Sequence, residues 1–172
     1  MSKQVEIFAY RLTSRKYAHL LDGAGSASCK RNRWNQQGQF VTYAASSRAL
    51  ALLEMRVHSA VGPPRDAMIA VIRIAVEKGQ LHRIGVGELP EGWSDPFDVG
   101  HCQIRGAQWY NERAEQPVME VPSAIVPEER IYVIRGGAAE AQIKRTEEFV
   151  FDPRLWQVER TDHGRVPTIA AR

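Results

Sequence analysis

The chain has little cysteine. Cys29 and Cys102 are the only two in 172 residues, and no C-x-x-C spacing joins them. A disulfide framework and a cysteine zinc site are therefore not predicted, and a reducing, cytoplasmic setting fits. Long apolar runs are missing as well. "MIAVIRIAV" comes nearest, but Arg73 interrupts it, well short of the roughly 20 residues of a membrane helix. The opening "MSKQVEIFAYRL" has no apolar core behind its lysine, so no secretory signal is predicted and no membrane partner is expected. The nucleotide fingerprints are absent too. There is no G-x-x-x-x-G-K-[ST], and "GVGELPEG" places Pro90 where a dinucleotide motif needs its third glycine. Without H-E-x-x-H, a zinc protease is not supported; without G-x-S-x-G, neither is a hydrolase elbow. Glu54 and His58 lie one helical turn apart in "EMRVH", but two side chains make a poor metal site, and an intrahelical pair is the better reading. No metal is predicted.

What is present describes an ordinary soluble globule. Apolar residues make up 44% and charged residues 25%, enough for one core without metal or disulfide staples. The net charge of +3 tilts slightly toward anionic partners, although the charges are dispersed. "QVEIFAYRL" from Gln4 alternates as a strand should. A long, mostly irregular stretch follows, with glycines at 23, 25 and 38, and loops of that length are often functional. "FVTYAA" predicts a short strand. "SSRALALLEMRVHSAV" predicts a helix capped by Ser46 or Ser47, stopped at Gly62 and Pro63, with Leu50, Leu53, Val57 and Val61 as its apolar stripe. Glu54 falls at the edge of that stripe. "AMIAVIRIAV" is the strongest strand, "QLHRI" a weaker one, and "LPEGWSDP" a turn region. "FDVGHCQIRGAQWYNER" predicts a helix bent or broken near Gly106. "VMEVPSAIV" is a strand whose Pro122 suggests an edge or a bulge, and "RIYVIR" and "EEFVFDP" follow as strands. The sum is an α+β fold of mixed or antiparallel sheet with a few helices. The predicted domain spans 1–156, with a polar tail over 157–172.

Several segments occur in a telling order: "YRL", "RWN" before a glycine, "VTYAASSRALALLE", "GAQWYNE", "VPSAIVP" and "FDPRL". From about Tyr10 to Leu155 this set resembles the RES domain family, named for an arginine, a glutamate and a serine. Ahead of "RWN" the chain carries Arg31 and Asn32, where the family usually has small residues. The resemblance implies an ADP-ribosyltransferase-like fold and a bacterial toxin that degrades NAD+ by hydrolysis or phosphorolysis. It also implies a partner, an Xre-like helix-turn-helix antitoxin. Some members instead ADP-ribosylate a protein. Residue by residue, the resemblance places the arginine at Arg33, the glutamate at Glu54 and the serine at Ser123, with Tyr43 as a further pocket residue.

These residue types suit that chemistry. When the nicotinamide–ribose bond breaks, the base departs neutral from a cationic ring, so no general acid is required. One carboxylate facing the cationic sugar does the main electrostatic work, and Glu54 is the candidate. Guanidinium forks suit a pyrophosphate, and Arg33 and Arg11 are the candidates, each expected at a strand end. Tyr43 is expected to stack on nicotinamide or hold the ribose. Ser123 is expected to bind the ribose or to orient Glu54 or the nicotinamide amide. Each position also has an ordinary reading. Arg33 beside Trp34 suits a surface cation–π pair, Glu54 suits Arg56 or His58 as partner, Tyr43 suits strand packing, and Ser123 suits a turn. Arg11 suits an exposed strand end, Lys30 and Arg31 suit surface charge, and Trp34 and Trp109 suit the core. A nucleic-acid module built on "KRNRW" is the non-enzymatic alternative, although no broader basic stripe supports it and no direct nucleic-acid partner is expected. The oligomeric state is not legible.

Overall fold

A computed structural model of the chain describes residues 4–59, 62 and 64–156. Seven strands form one sheet in the order β4-β5-β6-β2-β1-β3-β7. They are β1 (Gln4–Ser14), β2 (Val41–Ala45), β3 (Ala67–Glu77), β4 (Leu81–Arg83), β5 (Val118–Pro122), β6 (Arg130–Arg135) and β7 (Ala141–Glu148). All neighbours are antiparallel except β4 and β5, so the sheet is mixed. Among the described residues three α-helices accompany it: α1 (Ala24–Ser28), α2 (Arg48–His58) and α3 (Gly100–Glu112). The α+β expectation holds. The predicted tail over 157–172 lies outside the described residues.

Alternation along the strands builds two apolar layers, because successive side chains point to opposite faces. Met119, Val121, Ile131, Val133 and Ile69 join Leu50 of α2 and Trp109 of α3 in one cluster. Val118, Tyr132, Ile134, Ile72, Ile74 and Val76 form the other. Burial on both faces explains why the apolar run in β3 is nearly unbroken. Trp34 and Trp109 belong to the core, as expected.

The pairing of β1 explains where a cleft opens. Along β3 it is paired over its full length, from Gln4↔Glu77 to Ser14↔Ala67. Along β2 it is paired only at Tyr10↔Ala45. Beyond that point the two strands part. The main chain of residues 11–13 and that of residues 41–44 are not laddered to each other, and side chains from both strands line the gap.

Some local expectations hold and others need correction. Ser47 is the N-cap of α2, its Oγ accepting from the Leu50 amide at 3.0 Å. The helix ends at His58, before Gly62, because Ser59 has left helical geometry. Its predicted stripe holds at Leu50 but not at Leu53 and Val57, which are 41% and 58% exposed, whereas Ala51 is buried and Met55 packs on the core. The inward face is therefore Leu50, Ala51, Glu54 and Met55, which puts Glu54 on it rather than at its edge; Val61 is outside the described residues. Helix α3 is not broken at Gly106. A Cβ there would lie 1.9 Å from the Trp34 carbonyl oxygen, so the glycine admits a neighbouring backbone. β7 covers "AQIKRTEE", not "EEFVFDP". Pro122 closes β5 beyond the reach of β4, whose pairing stops at Glu120, so the missing N–H costs no ladder bond there.

Candidate active site

The split between β1 and β2 opens into a cleft of about 1120 Å³. That is slightly above the range usual for pockets of small ligands and ample for a dinucleotide. Its walls come from β1, β2, α2, the irregular stretch around α1, and the segments 94–99 and 122–125.

Glu54 is presented by α2, and its carboxylate has a neighbour at each oxygen. The Ser123 hydroxyl donates to Oε1 at 3.0 Å, and His58 Nε2 stands 3.5 Å from Oε2, one turn along the helix. A quarter of the Glu54 side chain remains exposed, on the cleft wall. Ser123 is 0% exposed, and its oxygen also accepts from the Ile125 and Val126 amides at 3.1 Å each. One donated and two accepted bonds saturate a hydroxyl. Of the roles expected for Ser123, orienting Glu54 is the one the geometry provides; the residue does not line the cleft.

Arg33 lines the cleft from a loop rather than from a strand end, and its fork is already engaged. Nη1 donates to the Trp93 carbonyl, and Nη2 to the carbonyls of Asp95 at 2.9 Å and Ser94 at 3.3 Å. The side chain thereby fastens segment 93–95, of which Ser94 lines the cleft. Arg11 lies within β1, and its Nη1 donates to the Leu20 carbonyl at 2.8 Å and to the Tyr17 carbonyl at 3.4 Å. Burial lowers its pKa, partly offset by Asp22.

Tyr43 lies on β2 with its ring at the cleft. Its hydroxyl donates to Asn35 Oδ1 at 2.8 Å and accepts from the Trp34 amide at 3.1 Å. Burial pushes the phenol pKa upward, so the group stays protonated and serves as a donor. Asn35, absent from the predicted site, is the centre of this loop. It is buried, and its Nδ2 donates to the carbonyls of Ser26 at 3.2 Å and Gln36 at 2.9 Å. The "RWN" triplet was its only sequence signal. Gly23 was also missed: its φ of +72° and the Val41 amide nitrogen 2.3 Å from a would-be Cβ leave no room for a side chain.

The cleft is cationic where Arg11, Arg31 and Arg33 line it and anionic at Glu54 and Asp22. Such a surface suits a ligand with phosphates and a separate centre of positive charge. Cys102 is buried beside Arg33, and burial raises its pKa, which argues against a thiolate nucleophile. Among the described residues no three His, Cys, Asp or Glu cluster as metal ligands. Trp34 is 3% exposed and offers no face for stacking a base, which weakens the "KRNRW" reading. No helix among the described residues is long and apolar enough to cross a membrane.

Comparison with known proteins agrees with this picture. Residues 8–152 match the model of the RES domain. A "Prs ADP-ribosylating toxin" of Sphingobium sp. (strain YBL2) is 36% identical over 141 residues, covering 78% of this chain and 86% of the relative. A "Toxin Res" of Photorhabdus laumondii is 31% identical over 128 residues, covering 73% and 79%. A "Toxin Res" of Yersinia enterocolitica is 30% identical over 152 residues, covering 85% and 97%.

Proposed function

The chain belongs to the RES domain family, and from that premise we propose that it is the toxin of a toxin–antitoxin pair, an enzyme that cleaves the nicotinamide–ribose bond of NAD+. The observation that carries this reading is the carboxylate of Glu54, held by the Ser123 hydroxyl on the wall of a dinucleotide-sized cleft. In the reaction the C1′–N bond breaks and its electron pair leaves with neutral nicotinamide. The ribosyl carbon becomes cationic, and Glu54 stabilises it. An oxygen of water or phosphate then bonds to C1′, giving ADP-ribose with release of a proton, or its 1″-phosphate. Because Ser123 holds Glu54 before substrate arrives, little reorganisation is needed as charge develops. NAD+ enters as substrate, and no metal takes part.

The name of the Sphingobium relative favours a second reading, transfer of ADP-ribose to a protein side chain. The first step is the same, and only the acceptor of C1′ differs. Incubating the full chain with NAD+ labelled in adenine, with and without phosphate, separates the outcomes. Nicotinamide with free ADP-ribose means hydrolysis, nicotinamide with its phosphate means phosphorolysis, and label on an added cell extract means transfer. No nicotinamide under any condition overturns the proposal. An Xre-like antitoxin is the proposed partner, expected to suppress nicotinamide release when added. The proposed catalytic unit is 1–156.

A further inference from the structure

Three arginines line the cleft, Arg11, Arg31 and Arg33. Arg33 has both terminal nitrogens on main-chain carbonyls, and Arg11 anchors the carbonyls of Tyr17 and Leu20. Arg31 is different. It is exposed, and no hydrogen bond or ion pair joins it to any described residue. It also stands where the cleft adjoins a smaller hollow of about 210 Å³, lined by Arg31, Pro96, Phe97 and Val99. Arg31, Pro96 and Val99 belong to both cavities. Phe97 is 96% exposed, an aromatic side chain with almost no protein against it.

We propose that this hollow seats the adenine of the substrate, with Phe97 stacked on the base and Arg31, at the junction with the main cleft, paired to the adenosine-side phosphate. The inference rests on NAD+ being the substrate. A free guanidinium makes two parallel charge-assisted bonds to a phosphate, which Arg33 cannot do while its fork is engaged. A purine has a flat face that an exposed phenyl ring covers, and the proline and valine complete an apolar wall. The hollow has the volume for a base but not for a dinucleotide, and its junction with the main cleft lets the remainder of the molecule reach toward Glu54. Arg31 and Phe97 are binding residues for the half of the molecule that does not react.

The test uses the full chain with Arg31→Gln and Phe97→Ala. Calorimetric titration with ADP-ribose, which lacks nicotinamide, and with nicotinamide mononucleotide, which lacks adenosine, reads the two halves separately. Each substitution is expected to weaken ADP-ribose by about tenfold and to raise the KM for NAD+ by a similar factor. Nicotinamide mononucleotide is expected to bind both variants as it binds the unaltered chain. The Arg31→Gln loss is expected to shrink at high salt, where ion pairing is screened. Equal ADP-ribose affinity in all three proteins, or no ADP-ribose binding at all, overturns the proposal. So does an equal loss for the mononucleotide, which would mean a general disturbance of the fold. The two readings fail separately. ADP-ribose binding that depends on Arg31 and Phe97 without nicotinamide release leaves the subsite standing and removes the cleavage reaction. Normal cleavage indifferent to both substitutions does the reverse.

Discussion

Ser123→Ala and Glu54→Gln, singly and together, probe the centre of the site. The Ser123 oxygen accepts from the amides of two half-buried residues and donates to a carboxylate. Deleting it removes the partner of the Ile125 and Val126 N–H groups, which are half-buried and partly open to water, so Ser123→Ala is expected to lose roughly 1–3 kcal/mol of stability. Glu54→Gln keeps shape and leaves an amide oxygen for Ser123, so its stability is expected to fall by no more than about 1 kcal/mol. Activity ranks the other way. Losing the negative charge removes about 2.7–4 kcal/mol of barrier stabilisation, a rate loss of about 10²–10³. Ser123→Ala leaves the charge but frees the carboxylate, and a displacement of 1 Å costs up to about 10²-fold. Because Ser123 acts through Glu54, the double variant is expected to release nicotinamide as slowly as Glu54→Gln and no slower. Urea titration measures the stabilities, and chromatographic assay of nicotinamide at temperatures where every variant is folded measures the rates. If Ser123→Ala lowers the residual rate of Glu54→Gln by the same factor as it lowers the parent rate, the two residues act independently and the positioning argument is refuted.

Three further outcomes follow from the geometry. Gly106→Ala drives a methyl into the Trp34 carbonyl and is expected to cost at least about 1–3 kcal/mol, read as a lowered Tm; an unchanged Tm would contradict the close approach. Arg33→Lys replaces a planar fork with one ammonium, so amide hydrogen exchange over 93–96 is expected to accelerate while β3 and β6 keep their protection; equal exchange over 93–96 would show that the anchor does not hold that segment. Arg48 and Arg145 hold Glu147 at about 2, down from the ordinary 4.5. A depressed carboxylate pKa stabilises the fold above the unfolded value and loses that contribution as pH falls from about 4.5 through about 2. Glu147→Gln is therefore expected to flatten this part of the acid limb in a pH titration of stability, an effect that salt diminishes, and an unaltered limb would refute it.

The regular elements were legible where the signal is local. Alternation found β1, a nearly unbroken apolar run found β3, and a serine before an alanine–leucine run found the start of α2. The errors arose where a distant partner decides. Leu53 and Val57 look like core residues by spacing, but both stay exposed, Val57 on the wall of the open cleft. Gly106 looks like a helix breaker until Trp34 is brought against it from 72 positions away. The main candidates of the site were legible as residue types in order, and the fold brings Arg11, Arg33, Tyr43 and Glu54 to one cleft, with Ser123 behind Glu54. Their attachments were not legible. Arg33 was expected to meet phosphate, but main-chain carbonyls carry no letter in the sequence, and three of them occupy it.

The three oxygens that receive Arg33 belong to the backbone of Trp93, Ser94 and Asp95, so the tether does not depend on which side chains those residues carry. Position and chemistry are thereby separated along one flank of the cleft. Ser94, whose side chain takes no part in the tether, offers a place to alter ligand preference by design while the strap itself stays fastened.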